Sequence, residues 1–307
     1  MKRIVTALVL IPLVLLAVFK APSWLFTLLV CAVALLALKE YLDLVEAYGV
    51  KPIRWLTYFY VVMLFIASIL ATFPFTHYDS IDTPLLAVRV PAMFATLLYL
   101  FSPFFFMAFA MRQEPLSKAF PSAAMSSIGP LYVGLPMFAL TLLQDLGWYP
   151  VIFTFFAVWA GDTVAMYTGK AIGKHKMSPR ISPNKTWEGA VGSVVGSVLA
   201  CWVLTTFAPG INHALHLQGG MTFYTPLSAD ELQRYVPGLL HGWKIPVVAV
   251  VLNIAAQLGD LVESLIKRGA NVKDSGTMLP GHGGILDRID ALLFAAPVAL
   301  VLFEFVR

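Results

Sequence analysis

Charge is scarce in this chain. Only 12% of its 307 residues are Asp, Glu, Lys or Arg, about half the share of a soluble domain, which excludes an ordinary water-soluble fold. Cysteine is nearly absent: Cys31 and Cys201 both fall within apolar runs. Two such residues build no disulfide framework, and without a CxxC pair or a Cys/His cluster they point to no zinc site. Both read as small buried side chains. Strict apolar–polar alternation is missing, which excludes a β-barrel, and neither internal repeats nor a separate soluble domain can be picked out. After Met1-Lys2-Arg3 and the first apolar run, Lys20-Ala21-Pro22-Ser23 offers no convincing small-residue cleavage site, so that run reads as a retained helix rather than a secretory signal.

What the chain does have is apolar length. It is 59% hydrophobic with a mean hydropathy of +0.80, and its apolar stretches are continuous over roughly 20 residues, the length of a membrane-spanning helix. In lipid the backbone must satisfy its own hydrogen bonds, which leaves helices for continuous runs. The reading is an all-α polytopic membrane protein with nine spans, at roughly 4–19, 24–44, 53–73, 85–110, 123–143, 149–169, 188–208, 245–266 and 289–306. It forms a single integral membrane domain over 1–307, with N-terminal helices in 1–122 and catalytic helices in 123–307, whose loops at 170–187 and 267–287 face the cytoplasm. Sixteen Lys and Arg residues fall in the connections on the N-terminal side of the bilayer and four on the other, with Arg89 inside a span. The positive-inside rule therefore puts the N-terminus in the cytoplasm and the C-terminus outside.

The scarce charges gather between Asp260 and Asp290, which hold Asp260, Glu263, Lys267, Arg268, Lys273, Asp274, Asp287, Arg288 and Asp290 with His282 and five glycines. Asp287 and Asp290, three apart on a helix, share a face, and Asp260 supplies a third carboxylate if its helix packs against theirs. Magnesium takes a few carboxylates and completes its shell with substrate phosphate oxygens. An Asp-x-x-Asp pair alone more readily marks a wet helix end paired to Arg288 or Lys267. Here it follows Pro280-Gly281-His282-Gly283-Gly284, where missing side chains let backbone N–H groups approach an anion, just before a helix N-terminus. Lys267, Arg268 and Lys273 stand near, and Ser264 lies one turn from Asp260.

A second group begins at Asp162, an ionisable residue inside a span and so a candidate for function. Gly169-Lys170 to Lys174 has neither the spacing nor the hydroxyl of a P-loop; Lys170, Lys174, Lys176 and Arg180 each fit the positive-inside pattern alone. Ser182-Pro183-Asn184-Lys185-Thr186-Trp187-Glu188-Gly189 follows, with Lys185 a phosphate ligand, Ser182 and Thr186 hydrogen-bond donors, and Glu188 at the membrane edge. The connection from Lys39 to Arg54 reads more readily as a helix end reaching the headgroups than as a site. The outer segment 209–244 carries His213, His216 and His241 without carboxylates at ligand spacing and reads as an ordinary loop. Glu304 is expected at the outer interface and Trp148, Tyr149 and Trp243 in the aromatic belts. An anion transporter using Asp162, Asp260 and Arg89 is disfavoured, because the charges cluster on one face and no paired broken helices occur.

These residues resemble bacterial phosphatidate cytidylyltransferases (CDP-diacylglycerol synthases). That family's pattern S-x-x-K-R-x4-K-D-x-G-x2-L-P-G-H-G-G-x-x-D-R-x-D is matched throughout by Ser264-Leu265-Ile266-Lys267-Arg268, Lys273-Asp274-Ser275-Gly276, Leu279-Pro280-Gly281-His282-Gly283-Gly284 and Asp287-Arg288-Ile289-Asp290. Asp162-Thr163 and Ser182 to Gly189 match a second region, and the likeness thins before about residue 130. The resemblance implies conversion of CTP and phosphatidate to CDP-diacylglycerol and pyrophosphate with Mg2+, and leaves room for a second, monovalent cation. It implies a bacterial cytoplasmic (inner) membrane, the bilayer as partner, a homodimer and no nucleic acid. On this reading Asp260, Asp287 and Asp290 hold the metal. Lys267, Arg268, Lys273 and Lys185 neutralise phosphates, while Asp162, Ser182, Thr186, Glu188, Ser264, His282, Gly283 and Arg288 line the substrates. A CTP-dependent polyprenol kinase, leaving CDP, would use similar groups and is the rival chemistry.

Overall fold

The computed structural model describes residues 2–72, 96–97, 99–215, 236, 239–278 and 283–305. Among the described residues ten α-helices carry the fold: α1 (Lys2–Lys20), α2 (Ser23–Ala47), α3 (Arg54–Thr72), α4 (Ser102–Ala110), α5 (Ala119–Gly129), α6 (Leu135–Asp145), α7 (Trp148–Ile172), α8 (Trp187–Ala214), α9 (Lys244–Gly269) and α10 (Leu286–Phe305). A π-helical turn, Pro130–Gly134, joins α5 to α6, so the expected span at 123–143 is a longer run interrupted midway. Among the described residues five runs are long and apolar enough to cross a membrane: Ser23–Ala47, Leu116–Asp145, Trp148–Ile172, Trp187–Ala214 and Lys244–Gly269. The chain is thus a multi-pass, mostly helical protein. The expected span at 85–110 begins outside the described residues, as does Arg89, and its described end is α4.

One departure from the all-helix reading lies in the 170–187 loop, where β1 (Lys176–Ser178) and β2 (Ser182–Thr186) form an antiparallel pair with Lys176 opposite Thr186 and Ser178 opposite Ser182. Pro183 has no N–H to give a helix and biases Ser182 toward extended backbone, so a short charged loop becomes a hairpin.

Helices α7 and α8 pack most extensively. The run Gly189-Ala-Val-Gly192-Ser193-Val-Val-Gly196-Ser197 places its small residues on one side, where Gly192 abuts Thr168 and Gly196 abuts Val164; this is the small-residue contact that lets helix backbones close in lipid. On the opposite stripe Val191, Val195 and Leu199 are exposed, as lipid-facing side chains would be. Asn253 of α9, almost wholly buried, ties that helix to α8 by donating to Ser193 Oγ at 2.9 Å and Ser197 Oγ at 2.7 Å, and Ser197 Oγ in turn donates to Ala157 O of α7. One core runs from Val18 to Phe303 and takes in side chains from both the first and the second half of the chain; a smaller cluster of Ile53, Leu56, Tyr60, Phe106, Ala110 and Ala123 knits α3, α4 and α5.

The described connections sort to two ends of the bundle. At one, Lys20 Nζ reaches Leu215 O at 2.7 Å and Trp148 Nε1 reaches Asn212 Oδ1 at 3.2 Å. At the other, the turn after α2 meets the α4–α5 connection through Lys118 Nζ to Gly49 O, 2.8 Å, and Gln113 Nε2 to Lys51 O, 3.1 Å. The hairpin and the α9–α10 connection share this second end.

Candidate active site

Asp260 lies on α9 less than three turns before its end. Its Oδ2 pairs with Lys185 Nζ at 2.6 Å, and Ser264, one turn on, offers its hydroxyl to Oδ1 at a long 3.4 Å. This pair joins the two regions singled out in the sequence, 75 residues apart. Lys185 is held there by the hairpin. Thr186 closes β2 and caps α8, its Oγ1 accepting from Gly189 N at 3.1 Å. Glu188, in the first turn of α8, accepts from His175 N at 3.2 Å and meets His175 Nδ1 at 2.6 Å; Trp187 N donates to His175 O at 2.9 Å. A carboxylate at a helix start also suits the helix dipole. Arg268 spans the gap from the other side, Nε to Ile181 O at 3.3 Å and Nη1 to Val272 O at 3.1 Å. Expected as a phosphate ligand, Arg268 therefore also ties the hairpin to the end of α9.

Lys267 stands between two carboxylates: it pairs with the fully buried Glu263 and lies 2.6 Å from Asp287 Oδ1. The other oxygen of Asp287 accepts from Gly284 N at 2.8 Å and Ser275 N at 3.0 Å, so Asp287 serves as the cap of its own helix. Gly283 makes this turn with φ +80°, and a Cβ there would come within 2.6 Å of Asp287 Oδ2; glycine is needed on both counts. Asp290, one turn into α10, feels the charge of Asp260 and Asp162 with Lys267 opposing, and Asp162 feels Asp260 with Lys185 opposing. Acids on α7, α9 and α10 are thus near enough to influence one another's charge. Ser182 begins β2, and Lys273 and Arg288 lie on the exposed side of the connection. His282, with Leu279, Pro280 and Gly281, lies outside the described residues.

Glu40 had no role in the sequence reading. It sits on α2, 3% exposed, and accepts from Leu286 N at 2.8 Å, Ile285 N at 3.0 Å and Ser275 Oγ at 2.9 Å. Tyr48, just past α2, donates its hydroxyl to Ile266 O at 2.8 Å on the last turns of α9. The Lys39–Arg54 connection is therefore part of the site's frame as well as a helix end. Glu263 was visible in sequence as the i,i+4 partner of Lys267. Glu40 was not, because a single acid at the end of an apolar run carries no record of a partner 246 residues away.

Among the described residues no three His, Cys, Asp or Glu side chains stand together as a ready metal-ligand set. The donor chemistry still fits a hard cation that takes few protein oxygens and completes its shell from phosphates. The three contacts to Asp287 also leave lone-pair capacity on a group with about four acceptor sites.

The chain matches the model of the "Cytidylyltransferase family" over residues 1–306. It belongs to that family. Two phosphatidate cytidylyltransferases show the likeness at closer range. The one from Brucella abortus biovar 1 (strain 9-941) is 39% identical over 171 residues, 55% of this chain and 53% of its own length. The one from Staphylococcus saprophyticus is 37% identical over 184 residues, 60% of each chain. The matches thus span between about half and three fifths of these relatives.

Proposed function

We propose that the protein is a phosphatidate cytidylyltransferase, joining CTP and phosphatidate to give CDP-diacylglycerol and pyrophosphate. The observation that carries this reading is the Lys185–Asp260 pair, which joins the two family-like regions, with Asp162 and Asp290 close enough to feel the charge of Asp260. A phosphatidate phosphate oxygen attacks the α-phosphorus of CTP. The new P–O bond forms as the α–β bridging P–O bond breaks, and its electrons leave on pyrophosphate. The attacking oxygen is already ionised, so no general base is required, and catalysis consists of positioning and charge neutralisation.

Lys185 and Lys273 bind substrate phosphates, with Arg268 and Lys267 supplying charge from the frame and Arg288, Ser182, Thr186 and Ser264 lining the approach. Mg2+ would be held by Asp260, Asp290 and the spare lone pairs of Asp287, with Asp162 lending charge; when bound it would draw charge from the leaving group. A second, monovalent cation would answer the remaining negative charge. His282 and Gly283 complete the phosphate loop. Glu188 acts indirectly, by holding the hairpin.

We further propose nine spans in one membrane unit, in the cytoplasmic membrane of a bacterium, with the N-terminus and this end of the bundle facing the cytoplasm and the C-terminus outside. The basic residues favour that orientation, and the grouping of connections at two ends agrees with an alternating path. Acyl chains would enter sideways from the bilayer, and a homodimer is the assembly to look for by light scattering in detergent.

The test is the purified protein with CTP labelled at the α- and γ-phosphates and phosphatidate vesicles, with and without Mg2+. Lipid carrying α-label and release of pyrophosphate only with phosphatidate support the reading. Transfer of γ-label with CDP left behind assigns the protein to lipid kinase chemistry instead.

A further inference from the structure

We propose that Glu40 is a positioning residue for this reaction: from α2 it sets the start of α10, and so the direction in which Asp287 and Asp290 face the substrates. The inference rests on the reaction assigned above. Burying a carboxylate is costly unless donors surround it, and Glu40 has three, all from residues at least 235 positions away. Two of them, the N–H groups of Ile285 and Leu286, belong to the start of α10, where a helix leaves donors without partners. Asp287 takes the neighbouring N–H of Gly284. Two carboxylates from different helices thus share the work of a cap. Ser275 joins them, giving its N–H to Asp287 and its hydroxyl to Glu40. Loss of Glu40 would free two N–H groups and one hydroxyl beside the acids that would hold the metal.

The loop is shaped to admit this side chain. A Cβ on Gly276 would have Glu40 as its three nearest contacts, 2.5 Å from Oε1, 2.8 Å from Cδ and 3.1 Å from Cγ. Gly276 is not among the positive-φ glycines, which are Gly49, Gly147, Gly242 and Gly283, so its backbone does not by itself demand glycine. A Cβ on Gly284 would likewise strike Glu40 and Ser275. Two glycines of the loop are thereby explained by an acid from the other end of the chain. Glu40 touches no reacting atom on this account; it works through α10.

The experiment compares full-length wild type, Glu40→Ala, Glu40→Gln, Gly276→Ala and the double variant Glu40→Ala/Gly276→Ala, measuring CTP- and phosphatidate-dependent kinetics and amide hydrogen exchange. Glu40→Ala should lower kcat by about 10-fold to 100-fold, the usual cost of removing a group that orients ligands, with a smaller change in KM. Exchange should quicken at residues 284–287 and stay unchanged in α7 and α8. Glu40→Gln, which keeps one acceptor oxygen, should fall between wild type and Ala. Gly276→Ala should copy the loss by pressing on Glu40, and the double variant should be no worse than Glu40→Ala, since the obstacle is gone. Unchanged kcat, exchange quickened throughout the chain, a Gln variant no better than Ala, or losses that multiply in the double variant would each overturn the proposal. Wild type without CTP turnover sinks the assigned reaction instead, and the exchange arm then decides the cap alone.

Discussion

Lys185 is the residue on which the two halves of the site turn. Its side chain is 25% exposed and the Asp260 carboxylate it meets 34%, so the pair is neither fully screened nor fully desolvated. Removing a charged hydrogen-bonding group in such a setting costs about 1.5–3 kcal/mol. Lys185→Ala should therefore lower kcat/KM roughly 10-fold to 100-fold, mainly through KM for a phosphate-bearing substrate; steady-state kinetics with CTP and phosphatidate varied separately check this. Asp290→Asn should raise the Mg2+ concentration for half-maximal rate by at least about tenfold, read from Mg2+ titrations at saturating CTP. Asp287→Asn should be the harsher change, because it also breaks the contacts to Lys267, Ser275 and Gly284. The placement of these residues was legible in sequence to different depths. Three-residue spacing placed Asp287 and Asp290 on one face, and Lys185 stood out within its motif. That Asp287 would also cap α10 was not legible, because it depends on how the Gly283–Gly284 turn aims its N–H groups.

At the scale of elements, the α7–α8 pair is the rigid wall against which the hairpin and α9 are set. Gly196→Leu should force a side chain into Val164 and cost about 1–3 kcal/mol, the usual penalty of overpacking. Asn253→Ala would remove the donor shared by Ser193 and Ser197, at about 0.6–1.7 kcal/mol for a polar contact within a membrane bundle. Thermal unfolding of both variants in the same detergent gives the comparison, and Gly196→Leu should fall further. The helices were largely readable from apolar length, since lipid leaves the backbone one economical solution for a continuous run. The β1–β2 hairpin was missed for the complementary reason: seven charged or polar side chains between Lys176 and Thr186 announce solvent, and its pairing is set by Pro183 and by the latch between His175 and Glu188.

For the whole molecule, the division into 1–122 and 123–307 understates how the chain is joined. The likeness to the family's motifs is weak in the first part, yet Glu40 and Tyr48 from that part hold both ends of the α9–α10 connection. Motif spacing records chemistry within a segment; it does not record which distant helix supplies the frame. Orientation is open to direct measurement. A cysteine placed at Ser178 in the hairpin, in a chain with Cys31 and Cys201 replaced by alanine, should react with a membrane-impermeant maleimide in inverted vesicles and stay unlabelled in right-side-out ones. Labelling in the opposite preparation would reverse the topology.

Glu40 also sets an order in time. A ribosome adding roughly 5–20 residues per second makes α2 long before Ser275, Ile285 and Leu286 exist, a gap of 235 to 246 positions. For roughly 10–50 s the growing chain holds an acid at a membrane edge with none of its final partners, and it must be kept wet or sheltered by the insertion machinery until α10 arrives. Ribosome-bound chains stalled before residue 275 should then be more readily degraded than those stalled after 290, a difference that Glu40→Ala should narrow.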